Sequence, residues 1–145
     1  MIRPVLAAML LFGLLGCSHY PPMPTIPYLD LNRFMGDWYV NANIPTFVEN
    51  DAYNAIESYQ LDDQGRIATT FTFRSGGFDG KQQTYHPTGY VLDRQTNARW
   101  GMQFIWPFKG DFRVIYLDPE YGQTIIGRQK RDYVWIMART PSIPE

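Results

Sequence analysis

The chain has 145 residues, of which 45% are hydrophobic and 16% aromatic, and its 13 basic and 14 acidic side chains leave a formal net charge of −1. A chain of this length fits one domain. The balanced charge excludes the electrostatic footprint of nucleic-acid-binding domains, so we expect no nucleic-acid partner.

Residues 1–16 have the composition of an export signal. Arg3 supplies a positive charge, and residues 5–15 form an apolar run that is too short to span a bilayer. The run ends in Leu14-Leu15-Gly16-Cys17, and Cys17 is the single cysteine of the chain. This ending resembles the lipobox of bacterial lipoproteins, and the alternative is an ordinary secretory signal.

The lipobox resemblance implies that residues 1–16 are removed as a signal peptide and that Cys17 becomes the membrane anchor. In such lipoproteins the cysteine carries a diacylglycerol thioether, and its amine is acylated, for example with palmitate. Multiple acyl chains anchor a protein stably, at roughly 0.8 kcal/mol per buried methylene. Ser18 resembles the pattern for sorting to the outer membrane, on its periplasmic side.

A proline-rich segment follows the cysteine, with four prolines within residues 18–27. Such a segment is typically extended and semi-rigid. We therefore expect residues 17–29 to be a tether that holds a domain of residues 30–145 off the membrane.

After at most one helical turn within residues 28–35, the sequence predicts strands separated by turn residues. Turns are indicated by Asp, Gly, Pro and Asn, for example in Pro107-Phe108-Lys109-Gly110. The short connections favour an up-and-down antiparallel sheet. Its eight predicted strands are residues 38–44, 53–61, 67–74, 82–93, 98–105, 112–117, 123–127 and 133–139.

Side chains alternate along these strands with a period of two. Ile67, Thr69, Phe71 and Phe73 share one face of their strand, and the other face is mostly polar. An apolar face has to be covered, and closure into a barrel covers it while removing exposed edges. The predicted fold is therefore all-β, an eight-stranded antiparallel up-and-down β-barrel, with a two-sheet sandwich as the alternative.

A barrel of eight strands encloses room for its own side chains or for one small ligand. The inward face predicted here carries the hydroxyl groups of Tyr59, Tyr85, Tyr116 and Tyr133. A partly hydrated ligand cavity accommodates such hydroxyls more readily than a dry core does. A filled interior is the alternative.

Three motifs coincide with the predicted strands. They are Gly36-Asp37-Trp38-Tyr39 at the first strand, Leu117-Asp118-Pro119-Glu120-Tyr121 after the sixth, and residues 132–141 at the eighth. On these motifs residues 30–144 resemble the lipocalin family, specifically its bacterial outer-membrane lipoprotein branch, which is similar to apolipoprotein D.

The lipocalin resemblance implies a barrel that binds fatty acids, lysophospholipids or similar apolar molecules through its open end, without a cofactor or metal. Trp38 and Arg139 match the family's pair at the closed end, where a guanidinium over an indole contributes about 0.5 to 2 kcal/mol. With strand alternation, the resemblance indicates a ligand-binding wall of Tyr59, Phe71, Phe73, Tyr85, Trp100, Met102, Phe104, Tyr116 and Trp135.

Glu57 shares a face with Tyr59 and is predicted either to point into the barrel or to lie at the rim. An unpaired carboxylate inside would be costly. If Glu57 points inward, we expect it to pair with a cation, a tyrosine hydroxyl or a ligand head group.

The sequence departs from the family in one respect. In family members, a helix that packs on the outside of the barrel follows the Arg-Thr-Pro motif. The printed sequence ends at Glu145, so we expect this C-terminal helix to be absent. Several outward side chains of the late strands are apolar, and we expect either a truncated chain or a homodimer that covers them: Ile115, Leu117, Ile125, Val134, Ile136 and Ala138.

The resulting prediction is a lipid-anchored lipocalin that stores or transports a lipid in envelope maintenance. One alternative is an envelope scaffold with a filled barrel, and another is a lipid-modifying enzyme with His86 or Glu57 as base. The sequence has no metal-ligand spacing, no glycine-rich loop before a helix and no nucleophile elbow. We therefore expect no enzymatic activity.

Overall fold

The computed structural model describes residues 20–142. The predicted signal peptide of residues 1–16 and the predicted lipidation site Cys17 lie outside the described residues, as do residues 143–145. Within residues 20–142, one short helix precedes nine strand segments. In chain order the elements are α1 (Leu31–Phe34), β1 (Gly36–Ile44), β2 (Ala52–Leu61), β3 (Ile67–Ser75), β4 (Gln82–Tyr85), β5 (Thr88–Val91), β6 (Arg99–Ile105), β7 (Phe108–Leu117), β8 (Gln123–Gly127) and β9 (Val134–Ala138).

All strand pairs are antiparallel and the sheet closes on itself. β1 pairs with both β2 and β9, and β2 also pairs with β3, which completes the ring. β4 and β5 both pair with β3 and form one strand interrupted at His86-Pro87, because proline has no N–H to donate to the ladder. The predicted eight-stranded barrel is confirmed, and the sandwich alternative is wrong.

Two details of β7 differ from the prediction. The turn expected at residues 107–110 lies at Trp106-Pro107, and β7 begins at Phe108, which pairs with Ile105. The turn propensity of Gly110 is overridden because this residue pairs with Met102 in the ladder. A two-residue connection is the tightest common way to join antiparallel strands.

The second difference is a β-bulge between Val114 and Tyr116, where the register with β8 shifts. An extra residue inverts the alternation of side chains beyond it. As a result Leu117 packs against the core, although it was expected on the outer face, and Tyr116 is 46% exposed.

An aromatic core fills one end of the barrel, which we call the closed end. The ring of Phe34 lies 4.8 Å from that of Trp38, 5.8 Å from that of Tyr59 and 5.6 Å from that of Trp100. All four side chains are fully buried. Asp30 caps α1 by accepting hydrogen bonds from the first backbone N–H groups of the helix, so α1 presents Phe34 to this core.

The other end of the barrel is the open end. β1 starts at the closed end and each following strand reverses direction, so alternate loops collect at the opposite end. The loops of the open end are residues 45–51, 76–81, 106–107 and 128–133.

Residues 20–29 run along the outside of the barrel from the open end to the closed end. Gln129 accepts a hydrogen bond from the N–H of Met23 at 2.8 Å, and the N–H of Ile26 donates to the carbonyl of Val114 at 3.0 Å. Leu29 is fully buried. These residues therefore pack on the barrel instead of standing off it as the predicted tether would, because the non-proline residues keep N–H groups that bind the wall.

The homodimer was predicted on the apolar outer face of the late strands, but Leu117, one of the residues expected there, packs against the core cluster. Ile125 and Ile136, which are paired across β8 and β9, keep partial exposure on this face. The homodimer stays a prediction. Within residues 20–142, helices fall short of the length and apolar character needed to cross a bilayer.

Candidate ligand-binding site

A cavity of about 640 Å³ occupies the barrel between the aromatic core and the open end. Its floor includes Phe112 and Met102, which also belong to the core. Small-molecule sites commonly measure about 300–1,000 Å³. The barrel of this chain is therefore hollow in its open half and packed with side chains in its closed half.

Glu57 places a carboxyl group in the wall of this cavity. It lies on β2, where it pairs with Trp38 of β1 and Phe71 of β3, and it accepts a hydrogen bond from the hydroxyl of Tyr59. Burial in the barrel raises the pKa of Glu57 to about 7, an effect that the Tyr59 hydroxyl opposes and Glu49 reinforces. Glu57 therefore titrates much closer to neutral pH than an exposed glutamate does.

A second carboxyl group holds the loop of residues 45–51 against the cavity. Glu49 is 7% exposed and accepts hydrogen bonds from the N–H and the hydroxyl of Thr46, at 3.0 and 2.8 Å. Its other oxygen accepts from the indole N–H of Trp135 on β9, at 2.8 Å. This network ties one loop of the open end to the cavity wall.

A cationic group lies at the mouth of the cavity. Arg128 follows the last residue of β8 and contributes to the cavity lining. Its Nε lies 3.4 Å from a carboxylate oxygen of Asp132, and its guanidinium lies 5.0 Å from the ring centre of Tyr133. The cavity thus has a partly protonated carboxyl group in its wall and a guanidinium at its opening, and Asp111, which is paired with Arg113 at 2.9 Å, also contributes to the lining.

Five of the nine residues predicted for the ligand-binding wall line this cavity. They come from β3, β4, β6 and β9, and alternation placed each of them on the inner face. These residues are Phe71, Tyr85, Met102, Phe104 and Trp135.

The other four predicted wall residues lie elsewhere. Tyr59 and Trp100 are fully buried in the aromatic core, with ring centres 5.6 Å apart. Phe73 is 5% exposed and stacks on Tyr85 at 6.0 Å, outside the main cavity. Tyr116 is displaced by the bulge in β7. For Tyr59, Trp100 and Phe73, alternation identified the inner face but not the depth along the barrel, whereas for Tyr116 the bulge inverted the face itself.

Loops and strand ends supply further lining residues that were not predicted from the sequence. The loop after β1 contributes Thr46, Phe47 and Val48, and the hairpin between β6 and β7 contributes Ile105 and Phe108. Loops have no periodicity from which a facing direction can be read. The available signal was the concentration of phenylalanine and tryptophan around Pro107, a segment that was predicted to be a turn.

The closed end is sealed by Arg139 and Trp38. The guanidinium carbon lies 3.9 Å from the indole ring centre, and the two terminal nitrogens each donate at 2.9 Å, one to the carbonyl of Asp37 and the other to that of Arg33. Gly36 lies beside this pair at φ +97°, where an added Cβ would come within 3.3 Å of the guanidinium. This contact joins the end of the last strand to the start of the first.

The histidine considered as a catalytic base does not face the cavity. His86 is exposed, and its ring nitrogen lies 3.4 Å from the hydroxyl of Thr70. In the described part of the chain, residues 20–142, no group of three or more His, Cys, Asp and Glu side chains is arranged to hold a metal ion.

A closed antiparallel barrel with one sealed end and an apolar cavity at the other defines a class of small binding proteins for apolar molecules. A family model described as a lipocalin-like domain matches residues 29–145. The chain therefore belongs to the lipocalin family, as the three sequence motifs predicted.

Curated relatives extend over most of the chain. It is 29% identical over 151 residues to the outer membrane lipoprotein Blc of Citrobacter freundii, which covers 99% of this chain and 83% of that protein. The Blc protein of Escherichia coli K12 is 29% identical over 147 residues, covering 97% and 81%. Temperature-induced lipocalin-1 of Arabidopsis thaliana is 29% identical over 132 residues, covering 85% and 69%.

Solved structures agree on the fold. Insecticyanin from the tobacco hornworm Manduca sexta superposes with a TM-score of 0.70 at 16% identity, covering 86% of this chain and 71% of that one. The cockroach allergen Per a 4 superposes with a TM-score of 0.62 at 19% identity, covering 86% and 76%. At these identities the similarity describes the barrel and not its ligand.

Proposed function

We propose that this lipocalin binds the acyl chain of a fatty acid, a lysophospholipid or a similar lipid in its cavity. We further propose that it does so as a lipid-anchored protein on the periplasmic side of the outer membrane, where it stores or transports lipid for envelope maintenance. The observation that carries the proposal is the apolar cavity of about 640 Å³ above the aromatic core. The names of the Blc relatives and the lipobox-like ending at Cys17 support the location.

Burial of the acyl chain accounts for the affinity. A long chain that enters the cavity removes a few hundred Å² of apolar surface from water, at about 25 cal/mol per Å². The loss of translational and rotational freedom on association offsets part of this gain. The proposed contacts are the aromatic and methionine side chains Phe71, Tyr85, Met102, Phe104 and Trp135.

The charges of the cavity favour a ligand that enters with its tail first. An anionic head group beside Glu57 would repel the ionised carboxylate or require its protonation. At the mouth, the same head group would meet the guanidinium of Arg128. We therefore propose that the carboxylate or phosphate stays at the opening while the hydrocarbon tail reaches the floor at Phe112.

Native mass spectrometry of the purified full chain tests the proposal, followed by titration with a fatty acid and a lysophospholipid. We expect copurifying lipid and saturable binding. Phe104→Asp should weaken binding at least tenfold, because it places a charge against the acyl chain at the mouth. Tyr116→Ser is the matched control, because Tyr116 lies outside the cavity. A lipid-free protein that binds neither compound would refute the proposal.

A further inference from the structure

Large apolar side chains are exposed around the open end of the barrel. Phe47 is 84% exposed, Ile105 71%, Trp106 82% and Phe108 75%. We call these four residues the rim patch. Phe47, Ile105 and Phe108 also line the cavity, so the patch surrounds its mouth. Clustered exposed apolar side chains mark interaction sites, and tryptophan is enriched where proteins meet the bilayer interface.

The described chain begins at this same end. Gln129, in the open-end loop of residues 128–133, donates hydrogen bonds to the carbonyls of Tyr20 and Pro21, at 3.3 and 3.1 Å. Arg131 of that loop donates to the carbonyl of Pro21 at 3.2 Å, and its guanidinium lies 5.1 Å from the ring centre of Tyr20. The loop lies between β8 and β9. In the sheet β8 neighbours β7, which begins at Phe108, and β9 neighbours β1, which is followed by the loop that contains Phe47.

The distance along the chain from Tyr20 to Cys17 is three residues. A fully extended chain spans at most about 3.3–3.6 Å per residue, so Cys17 lies within roughly 10 Å of Tyr20. An acyl anchor on Cys17 therefore brings the membrane to the open end of the barrel and not to the sealed end.

One loop of the open end is basic, whereas the loop of residues 45–51, which carries Phe47, contains the acidic residues Glu49 and Asp51. The loop of residues 128–133 contains Arg128, Lys130 and Arg131 but one acidic residue, Asp132. Lys130 and Arg131 are exposed. At the sealed end, the loop of residues 118–122 carries two acidic residues and no basic one. Basic residues beside an apolar patch suit a leaflet that contains anionic phospholipids.

We propose that the open end docks directly on the lipid bilayer, with the rim patch inserted at its interface. In this arrangement a lipid passes between the membrane and the cavity without its acyl chain crossing water. The inference rests on the proposed function, because it requires the acylated Cys17 and a lipid ligand. It adds to that function the membrane-facing surface and the route by which the ligand enters.

Tryptophan fluorescence tests the docking. The acylated full chain is reconstituted into vesicles whose phospholipids carry bromine on their acyl chains, which quenches nearby indoles. Trp106→Phe should lose at least half of the quenching seen in the unchanged chain. The matched control adds Tyr28→Trp to this variant. Residue 28 is 61% exposed and precedes Leu29 near the sealed end, so its indole would be accessible but away from the proposed membrane-facing surface. We expect the indole at position 28 to remain unquenched.

A transfer assay adds a functional measurement. Trp106 does not line the cavity, so Trp106→Ser should slow movement of a fluorescent lysophospholipid from vesicles to the protein several-fold and leave the equilibrium affinity unchanged. Equal quenching of the indoles at positions 28 and 106, or no quenching at position 106, would overturn the docking proposal. The proposed function would still be supported in that case if lipid copurified with the protein. An intact mass without acyl groups on Cys17 would overturn the docking as well. Absence of any lipid binding would instead refute the proposed function.

Discussion

At the scale of single residues, Glu57 makes the stability of the barrel depend on pH. Its pKa is about 7 in the folded chain against an ordinary value of 4.5. The folded state therefore holds a proton that the unfolded state releases between about pH 4.5 and 7. The contribution of Glu57 to the free energy of unfolding falls as pH rises through this range and is constant above it.

Glu57→Gln should remove this pH dependence, because the amide keeps an acceptor for Tyr59 but does not titrate. We expect the difference in unfolding free energy between pH 4.5 and 8 to shrink by about 3 kcal/mol. Urea denaturation across this range measures it. Glu120→Gln, at an exposed loop position, is the control. An unchanged pH profile in Glu57→Gln would show that Glu57 is not responsible.

Arg128 permits a second prediction at the residue scale. Arg128→Gln should weaken the binding of a fatty acid anion about three- to tenfold, because a hydrogen bond assisted by charge is lost at the mouth. Binding of an uncharged monoacylglycerol should not change. Isothermal titration of both ligands makes the comparison, and an equal loss for the two would contradict a head group placed at Arg128.

At the scale of elements, the helix cap and the β7 bulge decide which side chains reach the interior. Asp30 accepts hydrogen bonds from the N–H groups of Asn32 and Arg33, at 3.0 and 3.2 Å, and thereby begins the single turn that carries Phe34 into the core. The bulge in β7 turns Tyr116 outward. The helical turn was predictable from sequence, but the bulge was not, because it depends on the pairing with β8.

Asp30→Ala should lower the free energy of unfolding by about 1 kcal/mol, the usual cost of losing an N-cap. Asn32→Ala, an exposed change in the same turn, should change it by less than about 0.5 kcal/mol. Urea denaturation of the two variants provides the comparison. Equal effects would mean that the cap does not stabilise α1.

At the scale of the whole molecule, sealing and ligand binding occur at opposite ends of the barrel. Arg139 joins the first and last strands through Trp38 and backbone carbonyls. The cavity begins beyond the aromatic core, so changes at the seal should affect stability and leave binding intact.

Arg139→Ala should lower the free energy of unfolding by about 2–4 kcal/mol, through lost stacking and lost charged hydrogen bonds. Arg139→Lys should recover little of this loss, because an ammonium group lacks the planar fork of donors. Thermal unfolding measures stability, and lipid titration should show unchanged affinity. A large loss of affinity in a folded Arg139 variant would mean that the two ends are coupled.

An antiparallel barrel of the lipocalin family was predictable from the amino-acid sequence alone. Alternation and turn residues are local signals, and the motifs around Trp38 and Arg139 are short and ordered. Which of the inward residues line the cavity depends on the three-dimensional arrangement of the strands. Glu57 and Tyr59 share a strand face, yet Glu57 lines the cavity and Tyr59 is buried in the core, because depth depends on how all the strands are staggered.

The course of the N-terminal segment was likewise decided by tertiary contacts. Composition indicated that residues 17–29 are extended but contained no information about which surface they follow. The bonds that place residues 20–29 on the barrel join positions far apart in the chain, such as Met23 and Gln129, separated by 106 residues. Contacts over such distances leave no signal in local sequence patterns, and they bring the start of the described chain to the mouth of the cavity.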